Sequence, residues 1–203
     1  MAESIRTLET LELVGRALCL DYVNTVNSRV HTEHEYLTQY SDLVGWAKKV
    51  GLLSPALAGR IQKQAKQDQQ NANKALEKAR GIRELLYRLL SRAASGSEPD
   101  KKDMEILVGL YGETIAHSQF LKQENHYITT WKLDETFDAL LQPIVHSAGK
   151  LLLSEELVHV KECPGCGWLF LDTSKNQSRR WCNMNTCGAR DKMRRYHKRK
   201  QAM

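Results

Sequence analysis

Cys163-Pro164-Gly165-Cys166-Gly167-Trp168-Leu169-Phe170-Leu171, followed by Trp181-Cys182 and then Cys187-Gly188, decides how the C-terminal part of this chain folds. Two close cysteine pairs offer four thiolates, the number that fills a closed tetrahedral zinc shell. Each short loop brings two sulfurs to about 2.3 Å from one ion without a packed core. A segment this small gains too little from apolar burial to fold alone, so metal binding and folding become one event. Pro164, Gly165 and Gly167 supply the tight turn of a knuckle. Trp168 to Leu171 reads as a strand, Asp172 to Ser178 as a polar turn, and Arg179, Arg180 and Trp181 as a returning strand that leads to Cys182. From Gly188 onward the composition is helical, with Cys187 at the helix start, where exposed amides favour a thiolate. The expectation is a treble-clef-like zinc finger built of knuckle, β-hairpin and basic helix. It holds one structural Zn2+ on Cys163, Cys166, Cys182 and Cys187. Disulfides are the competing use of four cysteines, and the absence of a secretory leader argues against them. With four cysteines assigned, His159 and His197 are surplus, and a full shell has no open position for catalysis.

Charge is concentrated in the same region. Eleven Lys and Arg stand against three acids between Lys161 and Met203, whereas the whole chain carries +6. Such a patch is the electrostatic footprint of a polyanion partner. Arg190, Arg194 and Lys198 share one helical stripe, and Lys192, Arg195 and Arg199 share the next. Arg179 and Arg180 lie on the expected hairpin. These eight residues are the candidate contacts to DNA. Trp168, Phe170 and Trp181 could stack on unpaired bases and favour RNA, but a finger this small needs them as its core.

The remaining 150 or so residues read as helices, so the fold class is mainly α: a multihelical N-terminal domain over residues 1–157 and the finger over 158–203. Ala17 to Asn27 has an apolar face opposite a stripe of Asp21, Asn24 and Thr25. Ser41-Asp42 opens a helix that stops at Gly51, and Ser54-Pro55 opens another. Gln62 to Lys74 is a polar weak point. Ala75 to Ala94 places Ile82, Leu85, Leu86, Leu89 and Leu90 at helical spacing. A further helix spans Lys101 to His117, and His126 to Trp131 reads as a strand or hairpin arm. A last long helix runs from Thr136 to Leu153, with Pro143 marking a break.

Asp21, Asn24 and Thr25 form the candidate ligand site, with Arg16 or Arg29 as charge partner, although the same groups also suit structural hydrogen bonds. Cys19 reads as a buried cysteine rather than a redox sensor. His31 and His34 have the spacing of two metal ligands or of a solvated loop. No phosphate-loop, nucleophile-elbow or dinucleotide motif is present, so no enzymatic activity is expected. No apolar run spans a membrane, and the cysteine usage suits a reducing cytoplasm.

The run Cys163 to Ser174, with Asn176, Arg179-Arg180-Trp181-Cys182-Asn183-Met184 and Cys187-Gly188-Ala189-Arg190, resembles the CGNR zinc finger. Ala189 stands where that pattern has Asn. Ala17-Leu18-Cys19-Leu20-Asp21-Tyr22-Val23-Asn24-Thr25 is similar to the opening of the ABATE domain that usually precedes such fingers. The resemblance implies a bacterial stress-induced transcription regulator that binds DNA and holds zinc, with a helical domain for an effector or for homodimerisation. A ligand-binding or accessory protein whose finger is a staple or a protein-docking element is the alternative, and RNA binding is a third.

Overall fold

The computed structural model describes residues 7–30, 34–134 and 136–201. Among these, seven α-helices carry the architecture: α1 (Leu18–Val23), α2 (Tyr40–Lys49), α3 (Pro55–Gln67), α4 (Gln69–Ala94), α5 (Lys101–Ala116), α6 (Leu141–Leu152) and α7 (Ala189–Gln201). Two antiparallel hairpins complete it, β1 (Gln119–Gln123) with β2 (His126–Thr130), and β3 (Val160–Glu162) with β4 (Leu169–Leu171).

Local chemistry sets the helix limits. Asp42 sits at the third position of α2 and accepts from the Thr38 and Gln39 amides at 2.8 and 2.9 Å, so the helix opens at Tyr40 rather than at the expected Ser41-Asp42 cap. Gly51, with φ of 80°, lies just beyond its end. Ser54 caps α3 through the Leu57 amide at 3.2 Å, with Pro55 as the first helical residue. The polar stretch around residue 68 is a true break, because Asp68 leaves helical geometry and caps α4 through Asn71.

Two helices are shorter than their patterns predict. The stretch expected from Ala17 to Asn27 stops at Val23, because Thr25 Oγ1 turns back to the Tyr22 carbonyl at 2.8 Å and competes with the helical ladder. The stretch expected from Thr136 begins at Leu141, which puts Pro143 in the first turn, where its missing N–H costs no helical bond.

α4 is the spine. Leu76, Ala79, Ile82, Leu86, Leu89 and Leu90 are buried along one face of it. Tyr22 from α1 and Trp46 from α2 meet beside this face with ring centroids 5.1 Å apart, and Tyr22 donates its hydroxyl to the Ala79 carbonyl at 2.7 Å. The hydrophobic core is continuous from here into the cysteine-rich region.

An ionic network that periodicity does not reveal ties the segment after α1 to α4. Arg83, 4% exposed, puts its two Nη atoms on the two oxygens of Glu35 at 2.6 Å each and its Nε on Glu84 at 2.8 Å. Arg29 reaches Glu84 from the other side and lies over the Tyr87 ring. Burial alone would raise both glutamates. The guanidinium of Arg83 against Glu35 and that of Arg29 against Glu84 more than offset it, and both sit below the ordinary value of 4.5.

A carboxylate depressed in the folded state stabilises the fold above its unfolded value and loses that contribution as pH falls through its folded value. The contribution of this network, read as the difference in urea midpoint between wild type and Glu35→Gln, is therefore expected to hold from pH 7 to 5 and to shrink below about pH 4.5. Glu35→Gln should cost about 2 kcal/mol at neutral pH and flatten the acid limb, as a pH series of unfolding curves would show.

Candidate metal centre and its seam with the helical part

β3 and β4 lie on either side of the Cys163–Cys166 turn, so the knuckle is itself the tight turn of the hairpin. The Cys163 amide donates to the Trp168 carbonyl at 2.9 Å and extends the ladder, while Gly167, at φ of 72°, donates to the Cys163 carbonyl at 2.7 Å. The partner of Leu169–Leu171 is thus Val160–Glu162 and not the expected Arg179–Trp181. Strands adjacent across a tight turn pair first, and the polar stretch after Leu171 folds as a loop instead.

That loop has its own organiser. Asp172, 1% exposed, accepts from Lys161 Nζ at 2.7 Å, from the Ser174 amide and hydroxyl, and from the Arg179 amide at 2.9 Å. Burial opposes its charge, but the Lys161 ammonium and these donors hold its carboxyl far below the usual carboxylate range.

Cys182 lies just ahead of, and Cys187 within, a single π-type turn, Met184–Gly188, that leads directly into α7. Its entry is capped by Asn183, whose side chain accepts from the Asn185 amide at 2.7 Å. The four sulfurs of Cys163, Cys166, Cys182 and Cys187 lie within 4.8 Å of one another and all four residues are buried. Cys182 Sγ is 3.6 Å from that of Cys166 and 3.7 Å from that of Cys187. A tetrahedron with zinc–sulfur bonds of 2.3 Å has edges of about 3.8 Å, so the spacing fits one zinc ion and is far too long for disulfides. Hydrogen bonds among the four thiols lower the pKa of Cys163 and, in turn, raise those of Cys166 and Cys182. Arg190 donates through Nη2 to Cys187 Sγ at 3.2 Å, which favours the thiolate from outside the shell. His159 bonds Gln177 instead, and His197 lies along α7 beside Tyr196.

Two family models match this chain: the CGNR zinc finger over residues 159–200, and ABATE, described as "Putative stress-induced transcription regulator", over residues 16–155. The chain belongs to the ABATE family. No curated protein matches it significantly. Its CGNR finger has the four cysteines placed to hold one zinc ion.

The polar stripe of the ABATE part faces this finger. Asn24, 1% exposed, donates Nδ2 to the Leu169 carbonyl at 2.8 Å and accepts the Leu169 amide on Oδ1 at 2.9 Å. The Gly15 carbonyl takes the Leu171 amide at 3.0 Å, and Asp21 in turn accepts the Gly15 amide at 2.8 Å. No side chain fits at Gly15, since a Cβ there would lie 2.6 Å from the Asp21 nitrogen. Trp168 Nε1 donates to the Val26 carbonyl at 2.8 Å, and the Arg29 amide to the Cys166 carbonyl at 2.7 Å.

The three candidate ligand residues therefore have partners within the protein: Asp21 holds Gly15, Asn24 holds β4, and Thr25 bonds the Tyr22 carbonyl and receives Arg83. Arg29, expected near Asp21, is committed to Glu84. Burial lifts Asp21 to about 6 against the pull of the Gly15 amide. It lifts the Cys19 thiol to about 11, which makes that thiol inert. His34 packs edge-on against Tyr36, and His31 lies outside the described residues.

The eight basic candidates divide in the same way. Arg179 lies over the Phe170 ring and bonds the Trp181 and Cys182 carbonyls, so it braces the finger. Arg180 is exposed over the Trp181 ring. Arg190 serves Cys187, and Arg194 and Arg195 share Asp191 at 2.7 and 3.0 Å. Lys192, Lys198 and Arg199 are exposed and carry no ion pair among the described residues.

Metal analysis is expected to return one zinc per chain, and Cys187→Ser to lower that content. Chelation should change the fluorescence of Trp168 and Trp181, both buried beside the cysteines, and a protein that keeps its spectrum and stability after losing its metal would contradict the site. Asn24→Ala, which strands two backbone groups of Leu169, should cost about 3 kcal/mol in urea unfolding and weaken zinc retention. Unchanged stability in that variant would remove the seam from the fold's energetics.

Proposed function

We propose that this ABATE-family protein is a cytoplasmic transcription regulator that grips duplex DNA with its CGNR finger and α7. One observation carries the reading: from Lys192 to Lys200 every residue is exposed, and the stretch is dominated by Lys and Arg. A helix so charged and so little buried gains nothing from the fold by being long. It gains from phosphates, because each one neutralised releases counterions. The zinc-bound turn fixes where the helix leaves the finger.

Duplex is favoured over single strands. Trp168 and Phe170 are fully buried and Trp181 is 8% exposed, so none of these rings is free to stack on an unpaired base. The reading gives the zinc ion no chemical step, since four thiolates complete its shell, and it assigns the protein no enzymatic activity. The helical part supplies a cleft of about 630 Å³ between α3, α4, Asp134 and residues 136–138, with Ile61, Ala75 and Phe137 in its lining. Its size suits a small effector. No helix among the described residues is long and apolar enough to cross a membrane.

Fluorescence anisotropy of labelled mixed-sequence duplex and of single-stranded RNA, titrated with the zinc-loaded protein across a salt series, tests the proposal. Tighter binding to duplex is expected, with a steep salt dependence. Substituting Lys192, Lys198 and Arg199 together by Ala should lower the log–log salt slope by roughly 2 to 3. Absence of duplex binding at low salt would sink the proposal, and a preference for the single strand would transfer it to RNA.

A further inference from the structure

Within α7, Asp191 departs from its surroundings. It is the sole acid of a strongly cationic helix, it is 8% exposed, and each of its carboxylate oxygens faces one arginine: Oδ1 accepts a hydrogen bond from Arg194 Nη2 at 2.7 Å, and Oδ2 forms an ion pair with Arg195, whose Nε lies 3.0 Å away. The side chains of the two arginines remain 70% and 65% exposed. A carboxylate that served only the helix dipole would need neither burial nor two partners.

The consequence is a pair of oriented forks. Arg195 is paired on its Nε side, and neither of its Nη atoms has a hydrogen-bond partner among the described residues. Arg194 is gripped at Nη2 and retains Nη1 and the second Nη2 hydrogen. An arginine held in this way has already given up much of the rotamer freedom an unpaired one carries. At i, i+3, i+4 and i+7, Asp191, Arg194, Arg195 and Lys198 share one face of α7. Ala189, Met193 and Tyr196 share another, and Lys192 and Arg199 flank the first. A helix lying in the major groove turns one such face to the base edges and its flanks to the phosphates.

Building on the DNA reading above, we infer that Arg194 and Arg195 are the base-reading residues, each presenting its fork to the O6 and N7 acceptors of a guanine. Asp191 is the positioning residue that presets them, while Lys192 and Arg199 hold phosphates. Lysine at position 194 or 195 keeps the charge and loses the fork. Asparagine at 191 loses the grip on both and removes a negative charge from the interface.

The test is selection of duplexes from a randomised library by the full-length, zinc-loaded protein, followed by anisotropy on selected and scrambled sites. The wild-type motif is expected to contain guanines. Arg195→Lys and Arg194→Lys should each lose preference at one guanine, by roughly 5- to 150-fold, with little change on scrambled duplex. Asp191→Asn should bind scrambled duplex at least as tightly as wild type and discriminate less. Zinc content and thermal unfolding check each variant, and the two lysine variants carry the test if Asp191→Asn fails to fold. A motif unchanged in both lysine variants, or duplex binding by the wild type with no base preference, would overturn this inference and leave DNA binding intact. No duplex binding by the wild type would overturn both.

Discussion

The side chain of Asn24 does for β4 what a neighbouring strand would do. A strand in a two-stranded hairpin leaves every second amide and carbonyl without a partner, and buried backbone groups cannot be left that way. Here Leu169 finds both of its partners on one carboxamide, and Leu171 finds its acceptor on the Gly15 carbonyl. The hairpin therefore closes on α1 and on the loop ahead of it. Burial of Trp168 and Phe170, the placing of the knuckle and the path of the Arg29 segment beneath it all depend on that closure.

Zinc and seam divide the work of ordering the finger. The ion would draw together two cysteines of the knuckle, Cys182 ahead of the π-type turn and Cys187 within it. The seam orients the knuckle on the helical core, and Asp172 with Lys161 shapes the loop between. Neither suffices by itself. Four thiolates fix a local geometry but no direction for α7, and a docked hairpin does not reach Cys182 or Cys187. Arg190 links the two levels, since a residue in the first turn of the basic helix also touches a cysteine of the metal cluster.

What could be read from the sequence depended on how local the determining chemistry was. The four ligands were legible because their spacing is the chemistry. The apolar face of α4, the Ser54-Pro55 start and the break near residue 68 followed from patterns within a few residues. The polar stripe of Asp21, Asn24 and Thr25 is visible in the sequence, but nothing nearby says that the partner of Asn24 lies 145 residues away. The hairpin was misassigned for a related reason: strand character at Trp168–Leu171 was visible, whereas three residues ending in a lysine and a glutamate at Val160–Glu162 carry almost no strand signal. Arg83, Glu35, Glu84 and Arg29 gave no signal either, because ion pairs are not periodic.

Asn24 and Leu169 also bear on what counts as a unit in this protein. The family models divide the chain between residues 155 and 159, and the metal cluster lies wholly on one side of that line. The hydrogen-bonded edge of the finger does not respect it. A finger cut out at this line would carry its zinc ligands and an open, sticky strand edge, and the helical part left behind would carry a carboxamide facing water with nothing to pair. Moving either half onto another protein would require moving Gly15, Asp21 and Asn24 in step with β4, so the two halves form one physical object.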